Sequence, residues 1–235
     1  MNFSLVPSVV LADQSAADNE VAIAFQRLVA LLELKRRTFD FPAMTRRGPC
    51  LFVGEGDLSF SLALARHPKS QAAHIVASTY ESQRALSPSG RLNALALADT
   101  GAKVLHDIDA RHLEDARLPS RAELIAFQFP NTGTRRSVHG RTDNHVLVRR
   151  FLNSARSRLT GSGLIVVTIV NNPHHLGAFD LPAAAQWAEC EVIEVLPFYR
   201  SAWSGYGHVN TNNANESALG KYRSCSTWIF RPVGR

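Results

Sequence analysis

Val53-Gly54-Glu55-Gly56-Asp57-Leu58-Ser59-Phe60 joins two apolar segments of different character. Before it, Cys50–Val53 is a short apolar run with the look of a strand. After it, Leu58–Ala65 reads as the opening of an apolar helix. Glycines between a strand and a helix allow a tight turn and bring backbone close to a ligand at the carboxyl end of the strand. Two common ligand loops are excluded. Ser59 stands where a dinucleotide GxGxxG would have its third glycine, and no Gly-Lys-Ser/Thr follows as a phosphate loop requires. Taken alone, the segment also fits a plain βα turn in which Asp57 or Ser59 caps the helix.

The pattern continues outward from this turn. His74–Thr79, Lys103–His106 and Leu124–Phe129 read as the next strands. Ser89–Ala98 reads as a helix with Ser89 near its cap and Pro88 blocking an earlier start. Asp143–Leu159 is amphipathic, with Leu147, Val148, Phe151, Leu152, Ala155 and Leu159 on one face, and Gly161-Ser162-Gly163 is its expected C-terminal stop. Leu164–Val170 has the continuous apolar character of a strand buried on both faces. Ala183–Ala188 follows as a helix, then Val192–Leu196 and Thr227–Phe230 as strands. Alternating units of this length imply a largely parallel α/β sheet with helices on both faces. Residues 1–47 read as an N-terminal helical appendage and 48–235 as one domain. In the appendage, Ala17–Arg37 has helical apolar spacing and ends in Lys35, Arg36 and Arg37. Those cations complement a helix dipole or contact phosphates. Asn210–Asn215 is polar and reads as an exposed loop.

Bulk properties narrow the class. The 235 residues suffice for one sizeable core, and a charge of +6 with pI near 9.6 favours polyanionic partners without specifying a fold. The three cysteines, Cys50, Cys190 and Cys225, have no metal-site or disulfide-scaffold spacing and fit a reducing compartment. The N-terminus lacks the cationic start of a signal peptide, and no apolar run approaches the roughly 20 residues of a membrane span. A cytoplasmic protein without a membrane role is expected. His174-His175 has no evident acidic partner, and adjacent side chains diverge, so no metal is expected either.

Two acids give the glycine turn chemical meaning. Glu81 follows the second strand, where a carboxylate can accept both hydrogen bonds of a ribose diol. Asp109 follows the third strand, where a carboxylate and the neighbouring Ala110 amide can read an adenine edge. Turn and acids together form a nucleoside-binding set.

Val53-Gly54-Glu55-Gly56-Asp57-Leu58-Ser59-Phe60-Ser61-Leu62-Ala63 closely resembles the opening motif of the Rossmann-like family typified by the eukaryotic 25S rRNA uridine-N3 methyltransferase. The resemblance continues through Ser78-Thr79-Tyr80-Glu81-Ser82, Leu105–Ala110, Phe127–Gly133, Asn144, Phe151, Leu164–Val170 and Ser204–Thr211. It implies a class I methyltransferase fold, with a mostly parallel seven-stranded sheet and an antiparallel last strand. It implies S-adenosylmethionine held around Gly54, Glu55, Gly56, Asp57, Ser59, Glu81, Asp109 and Ala110. It also implies methyl transfer to a ring nitrogen of an RNA base, uridine N3 of rRNA, with RNA as partner. Two segments depart from the family. Its usual Asn-Phe-Pro-His is here Gln128-Phe129-Pro130-Asn131, and its Tyr-Pro-Gly-Tyr-x-His loop is Trp203-Ser204-Gly205-Tyr206-Gly207-His208.

Both departures fall on the expected substrate side. Phe129, Pro130, Tyr206, Arg135 and Arg136 are the candidate substrate contacts, with Phe129 either stacking a base or serving the core. Asn131 and His208 are the candidate catalytic side chains. An amide can bond a base edge but is no base, whereas a neutral imidazole can accept a proton, unless His208 is simply structural. Arg135 to Arg158 carries seven arginines against the single acid Asp143. That segment is either a solvated helix face or a phosphate-contacting strip. A small-molecule methyltransferase and a non-catalytic Rossmann-like binding module are the competing functions.

Overall fold

Cys50–Val53 is buried at every residue and forms strand β1 in the middle of a seven-stranded sheet. A computed structural model describes residue 21 and residues 39–134, 137–138, 140–208 and 224–234. Apart from Val21, the expected helix Ala17–Arg37 lies outside the described residues, as does Asn210–Asn215. The chain forms two compact units, residues 1–40 and 41–235. The second opens with helix α1 (Phe41–Arg47), whose Phe41 and Met44 are buried. This helix is part of the second unit, which begins at Phe41.

After β1 come α2 (Ser59–Ala65), β2 (Ile75–Ser78), α3 (Pro88–Asp99), β3 (Lys103–Leu105) and β4 (Ala122–Gln128). A hairpin of β5 (Ser137–Val138) and β6 (Arg141–Thr142) leads into α4 (Asp143–Arg156), then β7 (Leu159–Val170). Helices α5 (Pro173–Phe179) and α6 (Leu181–Trp187) precede β8 (Cys190–Phe198) and β9 (Cys225–Pro232). The main sheet runs β3-β2-β1-β4-β7-β9-β8, with β9 antiparallel to both neighbours and the other pairs parallel. This is the mostly parallel α/β sheet expected, with its last strand antiparallel.

Alternation along β1 and β4 sends side chains to two cores. Leu51, Val53, Ile125 and Phe127 join Val148, Phe151 and Leu152 of α4. Phe52 turns the other way, to Phe41 of α1 at 6.2 Å and Phe60 of α2 at 5.9 Å. Both faces are thus covered by helices.

Two local expectations are corrected. Ser87, not Ser89, caps α3 by accepting the Gly90 N–H at 3.0 Å. Pro88 then occupies the first turn, where its missing N–H costs nothing. Helix α4 stops at Arg156, and Gly161-Ser162-Gly163 is strand, not a helix cap. The pairing of β4 with β7 shifts register between Ala122 and Leu124, and a methyl group on Gly163 would meet the Ala122 carbonyl oxygen at 2.7 Å. A helix stop and a close strand approach both require glycine, and long-range pairing selects the second.

Candidate functional site

Strands β2 and β4 flank β1, so consecutive connections leave the sheet in opposite directions from its centre. Such a switch point opens a crevice beyond the carboxyl ends of the strands. A cavity of about 530 Å³ lies there, within the range that holds small ligands. Three non-glycine residues near its rim adopt left-handed backbone: Leu58 (φ 62°), Asp107 (φ 59°) and Phe129 (φ 50°). Strain of this kind collects at functional edges.

One wall is the turn after β1. Gly54 has φ +64°, and a methyl group there would sit 2.4 Å from the Phe127 ring, so only glycine fits. The Glu55 N–H donates to Ser78 O at 3.0 Å, tying the turn to β2. The buried Glu55 carboxylate accepts from Ser61 N at 3.2 Å and Ser61 Oγ at 2.8 Å. Burial outweighs these bonds and pushes its pKa up to about 7. Asp57 lines the cavity and also accepts the Ser59 N–H at 3.1 Å, while the N-cap position of α2 is Leu58, which makes no side-chain cap.

Glu81 continues this wall, and its carboxylate has no partner among the described residues. Asp109 and Ala110 complete it. The Asp109 carboxylate is clamped by the Arg111 guanidinium, with Nη2–Oδ2 at 2.6 Å and Nε–Oδ1 at 2.9 Å. Partial burial would raise this carboxyl, but the Arg111 bonds and charge hold it below the ordinary carboxylate value.

The facing wall comes from the end of β4, one face of α4 and the 203–208 loop. Gln128, Phe129 and Asn131 lie on it with Tyr206 and His208. Asp143, Val146, Leu147 and Arg150 follow at one-face helical spacing. The Phe129 ring meets Phe198 at 5.7 Å and His208 at 5.2 Å, edge-on, so it is half-buried wall and not deep core. Asn131 is exposed, and its Oδ1 accepts the Gly133 N–H at 2.9 Å. Asn144 of α4 steadies the same loop by accepting from Thr132 N at 2.9 Å and Thr132 Oγ1 at 3.1 Å. Burial, aided by the Arg200 charge, lowers His208 to about 4, so its imidazole stays neutral and is a weak proton acceptor. Burial raises the Tyr206 phenol.

The loop carrying Tyr206 and His208 is fastened to the glycine turn's own helix. Ser59 Oγ donates to Gly207 O at 2.9 Å and accepts from Gly207 N at 3.2 Å. The Phe60 ring packs edge-on against Trp203 at 5.0 Å and Tyr206 at 5.5 Å.

Of the residues singled out in the sequence, Gly54, Glu55, Gly56, Asp57, Glu81, Asp109, Ala110, Phe129, Asn131, Tyr206 and His208 share this cavity. Ser59 and Pro130 do not line it: Ser59 holds the loop, and Pro130 is buried. Arg135 and Arg136 lie outside the described residues. The arginine strip disperses in three dimensions. Arg141 pairs with Asp180 at 2.8 Å, and Arg156 with Glu189. Arg158 donates to the carbonyls of Pro119 and Asp115. Arg149 lies 4.8 Å over the Trp187 ring. Arg150, by contrast, lines the cavity. Sequence reasoning missed Tyr80, Arg111 and the cavity-facing residues of α4, and it placed Gln128 on the substrate side without giving it a role. The spacing of Asp143, Val146, Leu147 and Arg150 was visible, but nothing local told which helix face met the cavity. Among the described residues no cluster of three metal-ligating side chains occurs, and no helix is long and apolar enough to cross a membrane.

The sequence pattern of the BMT5-like family, described as rRNA (uridine-N3-)-methyltransferase BTM5-like, matches residues 51–210. The chain belongs to this family. The match runs from β1 through the turn and the cavity-lining loop as far as Asn210. Two Arabidopsis thaliana proteins are similar. Heavy metal-associated isoprenylated plant protein 41 is 29% identical over 77% of this chain, and uncharacterized protein At4g26485 is 34% identical over 50% of it. This chain spans 36% of the first and 61% of the second. Among solved structures, the O-methyltransferase NcsB1 of neocarzinostatin biosynthesis aligns with a TM-score of 0.50 and 15% identity, over 94% of this chain and 60% of its own. That structure is a complex with S-adenosylmethionine and 2-hydroxy-5-methyl naphthoic acid. The family member described here therefore has the class I, Rossmann-like fold of S-adenosylmethionine-dependent methyltransferases.

Proposed function

We propose that the chain is an S-adenosylmethionine-dependent methyltransferase that modifies a ring nitrogen of an RNA base, N3 of uridine in ribosomal RNA, in the cytoplasm. The family supports the reaction class. The carrying observation is the single cavity shared by a nucleoside-type wall and an aromatic, amide-rich wall. Its residues suit the cofactor: the Gly54 turn allows close approach, the Glu81 carboxylate suits a ribose diol, and the Asp109–Ala110 segment suits an adenine edge. The free, buried thiols of Cys50, Cys190 and Cys225 fit a reducing compartment.

S-Adenosylmethionine supplies a methyl group already activated on sulfur, so the protein's task is alignment and charge management. Phe129 offers an aromatic surface to a base, and Asn131 an amide. Uridine N3 must lose its proton to become nucleophilic. His208 is a weak acceptor, and both Glu55 oxygens already hold Ser61. Stabilising the base's developing negative charge thereby becomes the larger requirement.

The test is labelled methyl transfer to total cellular RNA, followed by nucleoside mass spectrometry, with wild type and Asp109→Ala in parallel. Methylated uridine from wild type and at least roughly tenfold less from the variant are expected. Label that appears only in small molecules would replace RNA as the substrate, and equal activity of the variant would remove Asp109 from the cofactor wall.

A further inference from the structure

Gln128 is the last residue of β4, at the cavity, and only 8% of its surface is exposed. Both polar atoms of its side chain, Oε1 and Nε2, are buried without a hydrogen-bond partner among the described residues. Such a group pays the full cost of desolvation and returns nothing to the folded state. Its surroundings do not require it, since leucine or methionine would fill the same volume without that cost. The backbone beside it is also held in an unusual state. Phe129 has φ 50°, and its N–H donates to Thr168 O at 2.8 Å, which fixes the end of the strand that carries Gln128.

We infer that Gln128 is a recognition residue for the methyl-accepting base: Nε2 donates to the ring carbonyl oxygen beside the accepting nitrogen, and Oε1 accepts from an N–H or O–H of the same nucleotide. This rests on the function proposed above. A carboxamide offers donor and acceptor side by side, and an imide-type base with its flanking carbonyls provides a partner for the donor. The donor has a second effect. When the imide N–H proton is lost, negative charge spreads onto the flanking oxygens, and an N–H aimed at one of them in a water-poor pocket stabilises that charge. This supplies what the weakly basic His208 does not.

The experiment compares wild type, Gln128→Met and Gln128→Glu. It reads thermal unfolding, S-adenosylmethionine affinity by calorimetry, and transfer of labelled methyl to total cellular RNA across pH. Gln128→Met should melt at or above the wild-type temperature, bind S-adenosylmethionine within about twofold of wild type, and transfer methyl roughly 10- to 100-fold more slowly. Gln128→Glu retains a donor only while its carboxyl is protonated, so its activity relative to wild type should fall as pH rises. A merely structural glutamine would lose activity in Gln128→Glu only in step with its melting temperature, and would leave Gln128→Met as active as wild type. Transfer by Gln128→Met within twofold of wild type overturns the inference, as does loss of S-adenosylmethionine binding in both variants. A wild-type protein that binds S-adenosylmethionine and moves no methyl to RNA instead sinks the proposed function, and the recognition role with it.

Discussion

At Gly54 two constraints coincide: a left-handed backbone and a ring that a methyl group would strike. Gly54→Ala should destabilise the domain by about 2 kcal/mol or more, because L-residues pay roughly 1–2 kcal/mol in that conformation before any clash. Denaturant unfolding measures this, and S-adenosylmethionine binding should weaken at least about tenfold with it. The next residue makes a pH prediction. Glu55 has a folded pKa of about 7 against a reference of 4.5. Between those values the unfolded chain has released a proton that the folded chain keeps, so stability falls as pH rises from about 4.5 to about 7 and then levels. Glu55→Gln keeps an acceptor for Ser61 and removes the titration. It should flatten that slope and stabilise the protein at pH 8 by on the order of a few kcal/mol relative to its own difference from wild type at pH 4. Parallel slopes for the two proteins would show that burial does not raise Glu55. The acid itself stands in plain view in the sequence, but its raised pKa depends on the β2 and α2 packing that encloses it.

Helix α2 links the two halves of the site. It starts at the end of the glycine turn, and its first two residues, Ser59 and Phe60, hold the loop that presents Tyr206 and His208. The resemblance assigned Ser59 to the cofactor, whereas its hydroxyl is engaged by Gly207 from both sides. Ser59→Ala should accordingly leave S-adenosylmethionine affinity within about twofold, while backbone amides of residues 203–208 exchange faster and methyl transfer falls by roughly tenfold. A large loss of cofactor affinity with an unchanged loop would return Ser59 to the cofactor wall. Elements built on local periodicity were legible: β1, α2, the α4 face and the buried run within β7. The β5–β6 hairpin and α5 were not: each hairpin strand pairs only two residues, and Pro173–Phe179 carries a proline, a glycine and two histidines in place of the apolar run that marked α2. The end of α4 was misread because Gly161 and Gly163 look the same in a helix stop and in a bulged strand.

The chain's formal charge is +6, and its arginines sit in different settings. Arg141 and Arg156 are neutralised by Asp180 and Glu189, whereas Arg150 lines the cavity. If RNA is the substrate, Arg150→Ala should reduce the slope of log affinity against log salt by about one phosphate contact, and Arg141→Ala should leave it unchanged. Filter binding over a salt series separates them, and equal slopes for all three proteins would remove Arg150 from the RNA surface. The sequence by itself determined the strand–turn–helix opening, the alternating α/β order and the acids after the second and third strands. Each of these depends on backbone demands or periodicities within a few neighbouring residues. Only the tertiary structure decided that Ser59 serves Gly207, 148 positions away, that Gly163 makes room for Ala122, that α4 contributes Arg150 while other arginines turn elsewhere, and that Gln128 ends buried without a hydrogen-bond partner among the described residues. Those outcomes depend on which distant surfaces meet, and no local pattern of side chains encodes that.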